Sequence, residues 1–399
     1  MDRHQPEKLR PIKVLQVFDN LGMGGAETWI MEVLRYWHLT NKIQIDFLIT
    51  GGKPSLFDEE ATQLGARIYY LKYSRATLFH FIQHFRILLK SENYNAIHDH
   101  SDYSSGWHFL MGWRYLPKTL ITHVHNAWIN ISVNYNVSRV RKISAYLGKT
   151  LTRHFATHIC GTSREVLLSY GFKPNLLAIP QIAVLHCGFN TNKFRFYNSN
   201  QDDRVHILKE FNWDPGVKIV LFVGRLDNAL QFSHPQNVKN SFFAVQILKL
   251  AKEMDKRVCL IMAGAGDQPR QQLELLIKSW NFSDSFRLVG IRKDIHCLMR
   301  AADLLLFPST QEGLGMVAVE AQAAGLPVLA SDAVPKECIV VKDLYHAISL
   351  DAPIEVWSDL LIKIIHAERP DPILSGQLVQ ASSFSIEQSA KSLEQIYSR

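Results

Sequence analysis

The segment ADLLLFPSTQEGLGMVAVEAQAAGLPVLASD, residues 302–332, decides the reading of this chain. Its apolar run from Leu304 to Phe307 has the length and composition of a buried strand, which Pro308, Ser309 and Thr310 end. Glu312 follows on a turn beside Gly313 and Gly315. A helical pattern comes next, with Glu320 among small and apolar neighbours, and Gly325-Leu326-Pro327 stops it. Such a strand–turn–helix unit brings both carboxylates to the crevice above the strand's carboxyl end, where open α/β sheets bind ligands. Carboxylates there accept hydrogen bonds from sugar and ribose hydroxyls, while the helix N-terminus faces a phosphate.

The same alternation extends in both directions. Upstream in the second half, strands are predicted at residues 218–223, 258–262 and 286–289, with helices at 240–254, 271–279 and 295–302. The first half repeats the scheme. Strands are predicted at 13–18, 43–49, 68–71, 96–98 and 119–123, and helices at 26–37, 56–64 and 78–89. Two βαβ series imply two doubly wound parallel sheets, an α/β protein of two Rossmann-like domains. The polar stretch 197–203 is the expected boundary, giving domains 1–196 and 197–384. A last helix, 385–399, carries Ile386, Ala390, Leu393 and Tyr397 as one apolar stripe and is expected to dock on the first domain.

The chain has 399 residues, 47% of them hydrophobic and 20% charged, which suits two globular cores. No apolar run reaches the roughly 18 residues that span a bilayer, and the polar opening residues lack a signal segment, so the expected location is cytoplasmic. Five cysteines without paired spacing suit reduced thiols. The net charge of +7 is uneven: residues 1–190 hold 21 Lys and Arg against 13 Asp and Glu, and the remainder is close to neutral. Such a basic half points to nucleic acid or an anionic membrane. No nucleic-acid motif is present. Residues 139–153 carry five cations, with Val140, Ile143, Leu147 and Leu151 at helical spacing. That pattern fits either a helix lying on an anionic membrane surface or an ordinary surface helix with a solvated basic face.

Other residues have two readings each. Gly24 and Gly25 follow the first strand and open a helix, so their amides can approach an anion, although a plain tight turn looks alike. Glu27 stands where a dinucleotide fingerprint needs its third glycine. Arg225, after the strand at 218–223, can fork onto a diphosphate or simply be solvated. Lys239, before the next helix, is a second candidate cation. His98, His100, His123 and His125 stand at strand ends, but no metal-ligand spacing accompanies them, and no metal is expected. A histidine there is better placed to contact a sugar. Asp-x-Asp pairs, nucleophile elbows and phosphate-binding loops are all missing, which argues against hydrolases and kinases.

Taken together, these residues resemble the retaining family-four glycosyltransferases of the GT-B fold, and most closely those that build bacterial capsular or extracellular polysaccharides. The resemblance runs through VLQVFDNLGMGGAE, ITHVHNAW, AVLHCGFNTNKF, VLFVGRL, IMAGAGDQ, LVGIRKDI and EGLGMVAVEAQAAGLPVLASD, in family order over nearly the whole chain. It implies two domains facing a cleft, with the last helix crossing back to the first domain. It also implies a nucleotide-sugar donor, UDP-linked among the options, no metal or other cofactor, and a glycan or polyprenyl-linked acceptor. Glu320 would then bind the ribose and Glu312 the sugar hydroxyls. Arg225 and Lys239 would hold the diphosphate, helped by amides at Leu314, Gly315 and Met316. Gly24 and Gly25 would approach from the other domain, His125 would touch the sugar, and the base would lie near Arg292. One departure is that Lys239 comes fourteen residues after Arg225, farther than the family pattern has it, with DNALQFSHPQNV between. Either an active-site flap or a displaced lysine is expected from that insertion.

Retaining transfer of this type needs no enzymic nucleophile. Fixed cations and a helix N-terminus stabilise the leaving diphosphate. A nucleotide-sugar epimerase of the same fold, or a non-catalytic sugar- or nucleotide-binding module, would share many of these residues. Release of free nucleotide only when an acceptor is supplied separates a transferase from both.

Overall fold

The computed structural model describes residues 11–40, 42–128, 138–196, 201–227 and 237–398. The chain divides into two compact units: Met1–Phe189 with Ile386–Arg399, and Asn190–Ser385. The first change of unit therefore falls a few residues before the polar stretch. Of that stretch, residues 197–200 lie outside the described residues, and Gln201 already opens the helix Gln201–Phe211.

In the first unit seven strands form one parallel sheet. They are β1 (Ile12–Phe18), β2 (Ile43–Ile49), β3 (Ile68–Tyr70), β4 (Ala96–Asp99), β5 (Thr119–Val124), β6 (His158–Gly161) and β7 (Gln181–Val184), in the order β3-β2-β1-β4-β5-β6-β7. The order reverses between β1 and β4, which opens a crevice at their carboxyl ends. Register places Gln16 of β1 opposite His98 of β4. Val17, Leu48, Ile97, Val124 and Ile159 fill the core beneath helix Leu78–Glu92, which contributes Phe81, Phe85, Leu88 and Leu89. Strands β6 and β7 have four residues each and were not legible as strands, and the helix Ser105–Gly112 was not anticipated either.

The second unit holds β8 (Lys218–Val223), β9 (Val258–Ala263), β10 (Phe286–Gly290), β11 (Leu304–Phe307), β12 (Val328–Ser331) and β13 (Tyr345–Ile348), ordered β10-β9-β8-β11-β12-β13 and all parallel. Its switch point lies between β8 and β11. Both faces are covered, which is why these strands read as near-continuous apolar runs. Gly264 shows how tightly the strand ends approach. A Cβ built there would lie 1.9 Å from the Gly224 carbonyl oxygen, so no larger residue fits.

The helix Ile386–Tyr397 belongs to the first unit. Ile386, Ala390, Leu393 and Tyr397 are buried, and the helix packs on Gly25–His38. Trp29 Nε1 donates to Ser389 Oγ at 2.8 Å, and Ile386 N donates to the Phe189 carbonyl at 3.0 Å. The periodic stripe read from the sequence is thus the docked face. Leu393→Ala should lower the stability of the first unit by about 2–5 kcal/mol, the range for truncating a buried leucine. Urea unfolding followed by tryptophan emission measures it, and a midpoint equal to wild type would show that the helix contributes no packing.

Candidate functional site

At the switch point of the second unit, Glu312 and Lys239 meet. Lys239 Nζ donates to Glu312 Oε1 at 2.5 Å, both side chains being largely buried. The Lys239 stem lies over Gly224, its Cγ and Cδ 3.4 Å from where a Cβ would stand, and its ammonium sits 5.6 Å from the Phe307 ring centroid. The lysine therefore reaches the ends of both β8 and β11 despite its distance from Arg225 in sequence.

A residue not singled out in the sequence explains how. Asp227, buried just after the Gly224-Arg225-Leu226 turn, accepts from the main-chain N–H of Val238 and Lys239 on Oδ1, at 3.1 and 3.2 Å, and from Ser241 N on Oδ2 at 3.2 Å. It clips the two ends of the insertion together. Residues 228–236 of that insertion, and with them the expected flap, lie outside the described residues. Burial raises the Asp227 carboxyl, and the four main-chain N–H groups from Val238 to Ser241 oppose that. The far side of the clip is tied to the β11 turn: Thr310 N donates to the Val238 carbonyl at 2.8 Å, and Asn240 Nδ2 donates to the Pro308 carbonyl at 3.1 Å. The sequence signal was present as an aspartate directly after the Gly-Arg-Leu turn. Its partners became visible only once the loop was closed.

The helix Met316–Ala323 begins at Gly315, whose φ of 90° and whose Cβ position, 2.9 Å from Val334 Cγ1, both require glycine. Its N-cap is thus a glycine, which offers no side chain to its first amides. Its first amides, with those of Leu314 and Gly315 before them, are the kind of donor set that holds an anion. Glu320 lies within the helix, half-buried, and Arg225 is exposed after β8. Arg292 is different. Its guanidinium is gripped by Asp294, at 2.8 and 2.7 Å, and by both oxygens of Glu210. These carboxylates, Asp294 first, hold it firmly protonated. Its side chain is a strut of the loop after β10, so a base near it would meet main chain rather than the guanidinium.

In the first unit Gly24 caps the helix Gly25–His38, and Gly25 faces open space. The carboxylate of Glu27 folds over this N-terminus, so close that a Cβ on Gly24 would lie 2.1 Å from Glu27 Oε2. Burial raises Glu27 above the usual carboxylate range. The turn that offers amides to an anion thus also carries its own acid.

The four histidines read as strand-end residues converge. His100 Nδ1 lies 2.8 Å from His125 Nε2, His100 Nε2 lies 2.9 Å from Gln16 Oε1, and His98 Nδ1 lies 2.6 Å from the Tyr397 hydroxyl. Trp29 turns its edge toward His98, His100 and His123. Ring atoms of His98, His100 and His123 approach within 4.8 Å, a grouping that spacing alone did not reveal. The His125 main chain is pinned by Asp102, which accepts His125 N at 2.8 Å, and burial raises the Asp102 carboxyl to about 6. Burial lowers His98, His100 and His123 well below their ordinary value and His125 to about 3.

The basic helix Arg139–Phe155 buries its small residues, Ala145, Gly148 and Thr152, and packs on Ser105–Gly112. Its apolar residues face outward instead, Val140 at 60% exposure, Ile143 at 60% and Tyr146 at 63%, beside exposed Arg139, Arg141 and Lys142. Among the described residues no helix is long and apolar enough to cross a membrane.

The family described as Glycosyltransferase Family 4 matches residues 23–193, and Glycosyl transferases group 1 matches residues 203–375. The chain is 26% identical to EpsF of Bacillus subtilis (strain 168), a protein assigned to the glycosyltransferases, over 96% of each chain. It is 23% identical to the capsular polysaccharide biosynthesis glycosyltransferase CapH of Staphylococcus aureus, over 97% of this chain and 98% of that one. It is also 23% identical to the Escherichia coli UDP-Gal:alpha-D-GlcNAc-diphosphoundecaprenol alpha-1,3-galactosyltransferase, over 72% of this chain and 73% of that one. In fold it matches Anabaena HepE, solved with UDP, at a TM-score of 0.74 and 16% identity, over 97% of this chain and 99% of that one.

The histidine cluster predicts an acid-labile first unit. Histidines held below their ordinary pKa bind fewer protons in the folded than in the unfolded chain, so their stability contribution is full above about pH 6.5 and falls as pH drops. The window runs from there down toward the value of about 3 for His125 and about 4 for His186. Asp102, raised to about 6, and Glu27, also raised by burial, work in the opposite sense but are two groups against five. Denaturant midpoints should fall steeply between pH 7 and 5, by roughly 1 kcal/mol per pH unit for each net proton. A flat profile would mean that these rings are protonated in the folded chain.

Proposed function

This chain belongs to the glycosyltransferases that join a family 4 domain to a group 1 domain, and we propose that it moves a hexose, with retention, from a UDP-sugar to a glycan or polyprenyl-linked acceptor in bacterial surface polysaccharide synthesis. The observation that carries the reading is the Lys239–Glu312 contact beside the N-terminus of a helix whose N-cap is glycine. An ammonium has three N–H groups. One goes to Glu312 and the others suit diphosphate oxygens, while the second oxygen of Glu312 suits a sugar hydroxyl. Arg225 and the amides of Leu314, Gly315 and Met316 complete the diphosphate's surroundings, and Glu320 takes the ribose. The base lies against the main chain near Arg292. On the first unit His125 meets the transferred sugar, and the Gly24-Gly25 turn meets the donor.

The chemistry follows from these charges. Fixed cations and helix amides stabilise the diphosphate as the glycosidic bond breaks. The acceptor attacks from the same face, and its proton passes to the departing phosphate oxygen. Neither an enzymic nucleophile nor a divalent metal has a role in this scheme. The relatives' names support a polysaccharide setting through CapH and a lipid-linked acceptor through the Escherichia coli galactosyltransferase. HepE's complexes with UDP and with UDP-glucose support the donor class.

Glu320→Ala should weaken nucleotide binding, and Glu312→Ala should chiefly lower kcat, each by about 1.5–3 kcal/mol, the worth of a hydrogen bond to a charged group. Calorimetry with UDP and turnover measured in a chelator separate the two effects. Equal and small changes in both quantities, with folding intact, would remove the donor site from this helix.

We also propose that the helix Arg139–Phe155 rests on an anionic membrane surface, near a lipid-linked acceptor. Outward Val140, Ile143 and Tyr146 with three neighbouring cations support this. Each cation near such a surface contributes about 1 kcal/mol, screened by salt. The chain should sediment with anionic but not neutral vesicles, and the triple change of Arg139, Arg141 and Lys142 to Glu should abolish this. Equal binding to both kinds of vesicle would leave the basic face to the acceptor glycan.

A further inference from the structure

A line of hydrogen bonds runs through the first unit from its last helix to His125. Gln16 Nε2 donates to the Tyr397 hydroxyl at 2.9 Å, and Gln16 Oε1 faces His100 Nε2 at 2.9 Å. His100 Nδ1 then faces His125 Nε2 at 2.8 Å, and the Tyr397 hydroxyl also reaches His98 Nδ1 at 2.6 Å. Gln16, His98 and Tyr397 are buried, and each link joins a different element: β1, the end of β4, the end of β5 and the last helix. From the reading of His125 as the sugar-contacting histidine, we propose that Tyr397, Gln16 and His100 are positioning residues that fix which nitrogen of His125 carries its proton.

The polarity follows link by link. A carbonyl oxygen only accepts, so Gln16 Oε1 requires the proton of His100 on Nε2. A neutral imidazole carries one ring proton, so His100 Nδ1 is then a bare acceptor. His125 must therefore donate from Nε2, which leaves its Nδ1 bare. A histidine set this way accepts a hydrogen bond from a sugar hydroxyl and offers no donor. Burial supports the premise, since it holds both rings neutral throughout the ordinary pH range. With Asp102 fixing the His125 main chain and His100 fixing Nε2, Nδ1 is the ring atom left for substrate. Among the described residues, the rings of His98, His123, Trp29 and Phe18 lie along the line, Trp37 and the Cys160 thiol lie by Tyr397, His158 and His186 lie near His98 and His123, and the acid Asp102 meets His125 through its main-chain N–H.

The other use of these rings is a cation. It fits less well, because both nitrogens of His100 are already engaged and, among the described residues, no carboxylate joins His98, His100 and His123.

Long-range proton–nitrogen NMR on histidine-labelled full-length protein reads each ring's tautomer without any substrate. Wild type should show His125 protonated on Nε2 alone, assigned by loss of its signals in His125→Gln. Gln16→Leu and Tyr397→Phe should yield a mixture of tautomers with the fold retained. Their kcat should fall roughly tenfold, about one hydrogen bond, with KM little changed. Gln16→Asn, which keeps an amide on a shorter arm, should recover part of both. His125 protonated on Nδ1 in wild type overturns the proposal. So does an unaltered tautomer in folded Gln16→Leu, or stoichiometric binding of zinc that shifts the His98, His100 and His123 rings. If the tautomers behave as expected but His125→Gln leaves turnover unchanged, the positioning line stands and the sugar-contact reading of His125 falls.

Discussion

A parallel sheet sends every strand's carboxyl end to the same side, and each return must cross a face as a helix or loop. Where the strand order reverses, two neighbouring connections leave in opposite directions and a crevice opens between them. Both units obey this constraint. In the first unit the reversal lies between β1 and β4, next to the histidine line. In the second it lies between β8 and β11, so Arg225 after one strand and Glu312 after the other flank one point. The chemistry-bearing residues are scattered over the sequence and gathered by topology alone.

Once topology has chosen the place, hydrogen-bond satisfaction fixes the details. The insertion after Arg225 could have carried Lys239 anywhere. The Asp227 carboxylate returns it by accepting main-chain N–H groups from both sides of Lys239, and the β11 turn is stitched to the same segment. In the first unit Gln16, His98 and His100 are polar groups in a dry environment, where an unmatched donor or acceptor costs about 1–3 kcal/mol. They answer much of that cost among themselves and with Tyr397. The last helix is therefore held by packing through Leu393 and by polarity through Tyr397.

Strands flanked by glycine turns and helices with a clear stripe were legible from the sequence. Residues 43–49, 218–223 and 304–307 are strands to the residue. The strands β6 (HICG), β7 (QIAV) and β13 (YHAI) mix polar with apolar residues over four positions, too few to set a period and unlike the wholly apolar run 304–307, and a boundary drawn from polarity mistook the start of a helix for a linker. The carboxylates Glu312 and Glu320 were visible because their spacing spans a turn and a helix. Asp227 was not, and His100 was visible only as one of four strand-end histidines, since both roles depend on which loop ends and strands become neighbours. Arg292 was singled out as lying near the base, but its ion pair with Glu210, which takes half of its guanidinium from a helix far away in sequence, was not legible. The stripe on residues 139–153 was visible, yet only the structure shows that the helix is seated by its alanine and glycine face and not by the stripe.

The placement of Ile386–Tyr397 in the first unit has a consequence for biosynthesis. Residues 190–385, the whole of the second unit, leave the ribosome before the helix that finishes the first. Domains generally fold as units during synthesis, N-terminal first. Here that order is inverted in its last step: the nascent first sheet keeps Trp29, Gln16 and His98 without their final partners while a complete neighbouring domain is made. The first unit of this chain is thus the first to begin folding and the last to finish, and the interval is set by the time needed to translate everything between.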